Sequence, residues 1–166
     1  MRVAIVGAGP AGLYLAYLLK RSKLEVEVEV FEQTPPDATF GFGLVFSERA
    51  LEFLNDEDPG TLAAIRPALE HWNDSILVHK GQEVRIDGMG YTGIGRLRLL
   101  QILQARTRSV GVEPKYLHAI DDLETCANAD LIVGADGVNS VVRRGYESVF
   151  GTTVTYLTNR FAWFGT

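Results

Sequence analysis

Three segments at the start of the chain carry the periodicities of buried secondary structure. Residues Arg2–Val6 form a short apolar run that predicts a buried strand, and Ala11–Lys20 predicts a helix. Because this helix is apolar on nearly every side, we expect it to lie between layers rather than on the surface. From residue 25 to residue 30 glutamates alternate with valines, which is the period of a strand with one buried face.

The rest of the chain continues to mix helical and extended patterns. Pro35 and Pro36 end the second strand and open a glycine-rich loop over 40–43, and Ser47 predicts the N-cap of a helix through Leu54. Leucines at helical spacing predict a helix over Arg96–Val110, and Ser140 predicts the cap of another. The remaining predictions are a helix-containing connection over 56–67, strands at 75–79, 83–87, 113–118 and 130–134, a turn at Lys80 and Gly81, and strands without partners that begin over 152–165.

The order of these elements predicts the fold class. Helices and strands alternate at the start of the chain and again near residue 130. This alternation predicts an α/β fold with a Rossmann-like parallel sheet. The two strands between 75 and 87 predict an antiparallel hairpin inserted between the elements of that sheet.

Composition narrows the classes of partner and compartment. The net charge of -5 and the pI near 5.2 argue against nucleic acid or an anionic membrane as the main partner. No apolar segment reaches the length of a membrane span and no signal peptide is visible, so we expect a cytoplasmic protein. The single cysteine, Cys126, excludes an internal disulfide framework.

The segment from Gly7 to Gly12, GAGPAG, matches the dinucleotide-binding pattern and stands between a predicted strand and a predicted helix. In that pattern Gly7 permits the tight turn, Gly9 lets the backbone approach a pyrophosphate, and Gly12 lets the helix pack closely on the strand. Glu32 follows 20 residues after Gly12, where a carboxylate accepts hydrogen bonds from an adenosine ribose. The next residue is Gln33 rather than an arginine that would favour a 2′-phosphate. A glycine-rich turn without a ligand is the alternative.

A second motif follows the predicted strand at 130–134. Asp136 and Gly137 stand just beyond the carboxyl end of that strand, which is the ligand edge of an open parallel sheet. An ordinary Asp-Gly turn before a serine cap is the alternative. Arg96 and Arg143 stand at or near predicted helix starts, where the macrodipole disfavours cations. They indicate either anions nearby or ordinary surface ion pairs.

A glycine–aromatic loop and several isolated polar residues carry weaker signals. Glycines at 41 and 43 beside Phe40 and Phe42 indicate either close approach to a flat ring system or a loop that plugs the core. The three histidines have no metal-ligand spacing, so we predict no metal site. Cys126 has no nearby base and is expected to be an inert thiol.

Three segments together, GAGPAG, GRLRLLQIL and DLIVGADGVNSVVR, resemble the class A flavoprotein monooxygenases of the para-hydroxybenzoate hydroxylase type. Their Arg-x-x-Leu-x-x-x-Leu helix is matched by Arg96, Leu99 and Leu103. Within that family, FEQTPPDATFGFGLVFSERALEFL and GIGRLRLLQILQARTRSVGV resemble the monooxygenases that act on aromatic CoA thioesters. The resemblance spans nearly the whole chain.

The resemblance implies FAD bound in an extended form, NAD(P)H as the electron donor, and hydroxylation of a small aromatic substrate such as a CoA thioester. The cofactor supplies the hard chemistry and the protein supplies position and a dry site. The glycine motif would face the pyrophosphate, Glu32 the adenosine ribose, His118 the adenine side, Arg96 and Asp136 the ribityl and phosphate portion, and the 41–44 loop the isoalloxazine. The implied cofactor-binding residues are Gly7, Gly9, Pro10, Ala11, Gly12, Glu32, Gln33, Gly43, Leu44, Arg96, His118, Asp136 and Gly137.

The family's third fingerprint, a Gly-Asp pair that completes the flavin site, is absent from the chain. We therefore expect a fragment or truncated product that lacks the carboxyl-terminal part of its own chain and does not hydroxylate by itself. The expected domains are an FAD-binding domain over 1–150, with an insertion at about 56–94, and the start of a truncated substrate-binding sheet over 151–166. Catalytic residues are expected beyond the chain.

Other functions remain open at this point. A flavin disulfide reductase or amine-oxidase relative would share the first motif, but a reductase would be favoured by a CxxC pair that this chain lacks. A simple NAD-dependent dehydrogenase would give the hairpin and the late Asp-Gly motif no role. A non-catalytic module that holds FAD or NAD without turnover is the third alternative.

Overall fold

The computed structural model describes residues 1–88 and 90–164 and divides into two units. The first unit comprises Met1–Ala38 and the chain from Leu103 onward, and the second comprises Thr39–Ile102. The strands are β1 (Arg2–Val6), β2 (Glu27–Phe31), β3 (Gly43–Ser47), β4 (Glu70–Trp72), β5 (Ser75–His79), β6 (Gln82–Ile86), β7 (Tyr91–Gly95) and β8 (Leu131–Gly134). The helices are α1 (Pro10–Arg21), α2 (Glu48–Glu57), α3 (Pro59–Ile65), α4 (Arg96–Ser109), α5 (Val141–Gly145) and α6 (Glu147–Phe150), with 3-10 turns at Arg66–Ala68 and Leu123–Cys126.

The first unit is built on a three-stranded parallel sheet in the order β2-β1-β8. Its central strand places Val3 opposite Val28 on one side and opposite Leu131 on the other. Because all three strands run in parallel, the residues that follow each of them meet at one edge of the sheet. Those residues are the glycine motif after β1, Glu32 after β2 and Asp136 after β8.

Both faces of this sheet are covered within the first unit. Ala4 and Val6 belong to a buried cluster with Phe31, Cys126 and Val142. Helix α1 packs against β1 and β2. Since side chains alternate along a strand, Val3 and Ile5 point to the face opposite Ala4 and Val6, and both are fully buried.

The second unit contains two antiparallel sheets, one in the order β3-β7-β4 and the other the hairpin β5-β6. Ser47 caps α2 by accepting a hydrogen bond from the Ala50 N–H, and Asp58 caps α3 by accepting one from the Thr61 N–H. Both strands of the hairpin expose apolar side chains, including Ile76, which is 62% exposed. Within residues 1–88 and 90–164, no helix is both long and apolar enough to cross a membrane.

Most of the predicted elements are confirmed, including the α/β class, the parallel sheet, the hairpin and the caps at Ser47 and Ser140. The predicted strand at 113–118 is wrong, because only an isolated bridge joins Lys115 to Phe31. Pro114 has no N–H to offer a ladder, and Leu117 adopts a φ of 55°, outside the extended region.

Two further secondary-structure expectations are corrected. Gly43 and Leu44 were expected in a loop, but they begin β3 and pair with Gly95 and Ile94. The expected strands over 152–165 are not formed in the described residues 152–164, and residue 165 lies outside the described range. The domain boundary at residue 150 stays a prediction.

Candidate functional site

The glycine motif forms a tight turn whose shape depends on two glycines. Gly7 adopts a φ of 105°, and its N–H donates to the Phe31 carbonyl at 2.7 Å. A Cβ on Gly7 would lie 2.4 Å from the Ala135 oxygen, and a Cβ on Gly12 would lie 2.0 Å from the Gly7 oxygen. Both contacts are with backbone, so neither position accepts a side chain without movement of a strand end or of α1.

Gly9 differs from its neighbours because the space in front of it is open. No described heavy atom lies within 4 Å of the position that a Cβ on Gly9 would take. Gly9 is the N-cap of α1 and makes no side-chain cap hydrogen bond, and Pro10 is the first residue of the helix. Ala11 is exposed in the same turn. The amino end of α1, with its partial positive charge, therefore faces a space that phosphate groups can enter.

Glu32 follows β2 directly, and its carboxylate is held by the chain itself. Oε2 accepts a hydrogen bond from the Ala8 N–H at 2.8 Å. Oε1 accepts two from Thr34, one from the N–H at 2.9 Å and one from the hydroxyl at 2.8 Å. The carboxylate thus joins the glycine motif to the end of β2. Gln33 is exposed beside it.

His118 lies next to Glu32 in the structure, and its role at the adenine side stays a prediction. Its N–H donates to the Glu32 carbonyl at 2.8 Å, and its ring packs against Phe31 with centroids 5.4 Å apart. The Lys115 amine lies over the same Phe31 ring, 4.9 Å from its centroid, and forms an ion pair with Glu29. The exposed side chains of His118 and Lys115 and the buried ring of Phe31 therefore lie beside Glu32.

Asp136 occupies the end of β8 and leaves one oxygen unsatisfied. Oδ2 accepts a hydrogen bond from the Val141 N–H at 2.6 Å. Oδ1 is buried and has no hydrogen-bond partner within the described ranges. The next residue, Gly137, adopts a φ of 78° with open space around it. A buried acceptor without a donor costs about 1–3 kcal/mol, so Oδ1 is poised to accept a hydrogen bond from a ligand hydroxyl.

Asp136→Asn is expected to lower the free energy of unfolding by about 1–3 kcal/mol, because its NH2 group takes the buried place of Oδ1, where no hydrogen-bond partner lies in the described chain. The amide oxygen still accepts from the Val141 N–H, so the hydrogen bond to the first residue of α5 is kept. Denaturant titration measures the change, and Asp130→Asn is the matched control because Asp130 accepts from the Arg2 N–H at the opposite sheet edge. Unchanged stability in both variants contradicts a buried Oδ1 position without a partner.

Arg143 and Arg144 in α5 make contacts that the sequence did not predict. Arg143 donates to the Val138 carbonyl and Arg144 to the Asn139 carbonyl, each at 2.5 Å. Both side chains thus brace the turn after Asp136. For these two residues the observed partners are backbone carbonyls of their own turn, and neither an acidic side chain nor an anion is needed to explain their placement.

Three predicted site residues belong to the second unit. Arg96 is the first residue of α4, and its N–H donates to the Phe42 carbonyl at 3.0 Å. Its Nε is buried without a hydrogen-bond partner in the part of the chain that the structure describes. Gly43 and Leu44 pair with the end of β7. Phe40 and Phe42 are 79% and 51% exposed, so the alternative in which the loop plugs the core with these side chains is wrong.

The remaining polar candidates form no second site. Across the described residues, no group of three or more His, Cys, Asp or Glu side chains is placed to hold a metal ion. Cys126 is free and buried, and this burial, with a smaller effect of Glu29, raises the pKa of its thiol. A raised thiol pKa lowers the thiolate population and agrees with an inert cysteine.

Thr34 was not singled out from the sequence, yet its N–H and hydroxyl both donate to Glu32. A hydroxyl residue two positions after the carboxylate at the end of a strand is a visible signal for such a contact.

FAD fits the residues at this sheet edge on two observations. The open space at Gly9 admits a pyrophosphate to the amino end of α1. The unpartnered Asp136 Oδ1 offers an acceptor to the hydroxyl groups of a sugar or ribityl chain. The two features lie at the ends of neighbouring parallel strands, β1 and β8.

Comparisons with known proteins agree with this geometry. Residues 5–38 match the family model described as an NAD(P)-binding Rossmann-like domain. Over its whole length the chain is 42% identical to salicyloyl-CoA 5-hydroxylase from Streptomyces sp, of which it covers 32%. Over 87% of its length it is 34% identical to 3-amino-4-hydroxybenzoate 2-monooxygenase from Streptomyces cremeus, of which it covers 41%.

A solved structure gives the same result. The tetrameric form of 2-methyl-3-hydroxypyridine-5-carboxylic acid oxygenase is 26% identical and superposes with a TM-score of 0.68 over 84% of this chain and 40% of that one. The chain thus spans about a third to less than a half of the length of these relatives. The chain is therefore a homologue of part of these longer oxygenases and hydroxylases, and the matched part contains a dinucleotide-binding fold.

Proposed function

We propose that this chain is the FAD-binding part of an NAD(P)H- and oxygen-dependent aromatic hydroxylase. The observation that carries the proposal is the buried, unpartnered Asp136 Oδ1 at the same sheet edge as the open space before Gly9. A buried acceptor and an exposed helix start are the two features that a ligand with both hydroxyl and phosphate groups satisfies. When bound, FAD supplies the redox chemistry with oxygen.

The residues of the chain bind and orient the cofactor in this proposal. The amino end of α1 at Gly9, Pro10 and Ala11 receives the pyrophosphate, with Gly7 and Gly12 fixing the turn. Glu32 accepts hydrogen bonds from the adenosine ribose, beside Gln33 and His118. Asp136 and Gly137 receive the ribityl portion. Arg96, Gly43 and Leu44 are proposed as further cofactor-binding residues of the second unit.

The proposed substrate is a small aromatic compound carried as a CoA thioester. The support is the identity of 42% to an enzyme whose name specifies salicyloyl-CoA. The chain covers only 32% of that enzyme. We therefore propose that substrate contacts and catalytic groups are supplied by residues outside the segment matched here. The proposal includes a cytoplasmic location, because NAD(P)H is available there to reduce the flavin.

Titration of the purified chain with FAD and, separately, with NAD tests the proposal by calorimetry. We expect saturable FAD binding that is about 10- to 100-fold weaker in Glu32→Ala, the effect of losing a hydrogen bond to a charged group. Glu27→Ala is the matched control, since Glu27 is an exposed glutamate at the start of β2, the strand that Glu32 follows. Thermal unfolding of each variant shows whether the glycine motif survives the loss of the bond from Ala8.

The outcomes separate the alternatives. Saturable FAD binding that Glu32→Ala weakens and Glu27→Ala does not is the expected result. A clear preference for NAD favours a dehydrogenase or an NAD-binding module, as the description of the matched family model also allows. A folded chain that binds neither nucleotide contradicts the proposed function.

A further inference from the structure

The Glu32 carboxylate offers its two oxygens unequally. Oε1 accepts two hydrogen bonds from Thr34, and Oε2 accepts one from the Ala8 N–H in the described chain. A carboxylate oxygen has two lone-pair sites. Oε1 is therefore saturated by Thr34, whereas Oε2 keeps one site for a further donor.

Thr34 is itself held in place from several sides. It precedes Pro35, and a residue before proline is restricted to extended conformations. The Pro36 carbonyl accepts a hydrogen bond at 2.8 Å from the Gln104 side chain, which is buried. The Leu117 N–H approaches the Thr34 carbonyl at 3.4 Å. Because its backbone is fixed, the Thr34 hydroxyl has a defined position from which it donates to Glu32.

We propose that Thr34 is a positioning residue for nucleotide binding, and that its hydroxyl makes Glu32 Oε2 the oxygen that accepts the ribose hydroxyl. This inference rests on the proposed function. Thr34 does not itself contact the ligand in this arrangement. It saturates Oε1, prevents the carboxylate from rotating, and leaves a single acceptor site directed by the bond from Ala8.

Calorimetric titration of the purified chain with FAD tests the role of the hydroxyl. Thr34→Val keeps the shape and the N–H of residue 34 but removes the hydroxyl, and we expect FAD to bind on the order of tenfold more weakly, the effect of one hydrogen bond to a charged group. Thr34→Ser restores a hydroxyl and is expected to bind FAD within about twofold of the unaltered chain, on the same reasoning. Thr34→Ala replaces Thr34→Val if the valine variant does not fold.

A double-mutant cycle distinguishes positioning from general damage. If Thr34 acts through Glu32, then Thr34→Val has no further effect on FAD affinity in a Glu32→Ala background. An equal loss in both backgrounds, unchanged affinity in Thr34→Val, or no rescue by Thr34→Ser overturns the inference while FAD binding by the unaltered chain still stands. Failure of the unaltered chain to bind FAD overturns the proposed function and this inference with it.

Discussion

Replacing Gly12 with alanine is expected to lower the free energy of unfolding by about 3 kcal/mol or more, which is a large fraction of the stability of an ordinary domain. The new methyl group would lie 2.0 Å from the Gly7 carbonyl oxygen and 3.3 Å from Ala135 Cβ. The first contact is with backbone, so relief requires α1 to move away from the end of β1. Urea denaturation followed by circular dichroism measures the change.

Gly9→Ala is the matched control for this experiment, since it adds the same methyl group three residues earlier in the same motif. Gly9 has φ -68° and ψ 179°, which alanine adopts without strain, and the methyl group would enter open space. We expect stability within about 0.5 kcal/mol of the unaltered chain but FAD binding weakened by at least about tenfold, because the methyl group occupies the approach of the pyrophosphate. Equal stability losses in both variants would contradict the geometry of the turn.

Leu13→Ala is expected to cost about 2–5 kcal/mol of stability, the range for truncating a buried leucine. Leu13 is 0% exposed in the helix that packs against β1 and β2. Its carbonyl also accepts a hydrogen bond at 2.9 Å from Thr107, so the surrounding backbone is tied and collapses poorly into the cavity. Thermal and denaturant unfolding, compared by two spectroscopic probes, measure the loss.

Leu24→Ala provides the comparison, because the same atoms are removed from a side chain that is 57% exposed. A change within about 0.5 kcal/mol is expected at such a surface position. The difference between the two variants isolates the contribution of burial. Similar losses for both would show that α1 is not packed as described.

The elements of the parallel sheet were predictable because their signals are local. The apolar run of β1, the alternation before Phe31 and the strand before Gly134 each specify a strand without knowledge of its partner. The caps at Ser47 and Ser140 are likewise read from single residues that precede helical patterns. The α/β class follows from the order of these elements.

The antiparallel sheet of the second unit was not predictable, because its strands carry weak local signals. Strand β7 contains Gly93 and Gly95, which lower strand propensity, yet Gly93 is where the Trp72 ring lies, 3.0 Å from the position of a Cβ. Strand β4 is only three residues long. Strands β3 and β4 both pair with β7, which lies about 20 to 50 residues further along the chain, so their formation depends on contacts that local sequence does not show.

At the candidate site, the glycines, Glu32 and Asp136 were predictable from motif spacing, and the structure brings them to one sheet edge. The hydrogen bonds that set their chemistry were not predictable. Thr34 saturates one oxygen of Glu32, and one oxygen of Asp136 accepts a hydrogen bond from the Val141 N–H. Which oxygen remains for a ligand depends on side-chain geometry that spacing does not contain.

The close approach of Ala135 to the glycine motif has a consequence for how such sequences diverge. A Cβ on Gly7 would meet the Ala135 backbone, and one on Gly12 would meet the Ala135 side chain, although more than 120 positions separate the two segments. A side chain larger than alanine at residue 135 would therefore require α1 to shift. We expect the effects of substitutions at residue 135 and in the glycine motif to be non-additive.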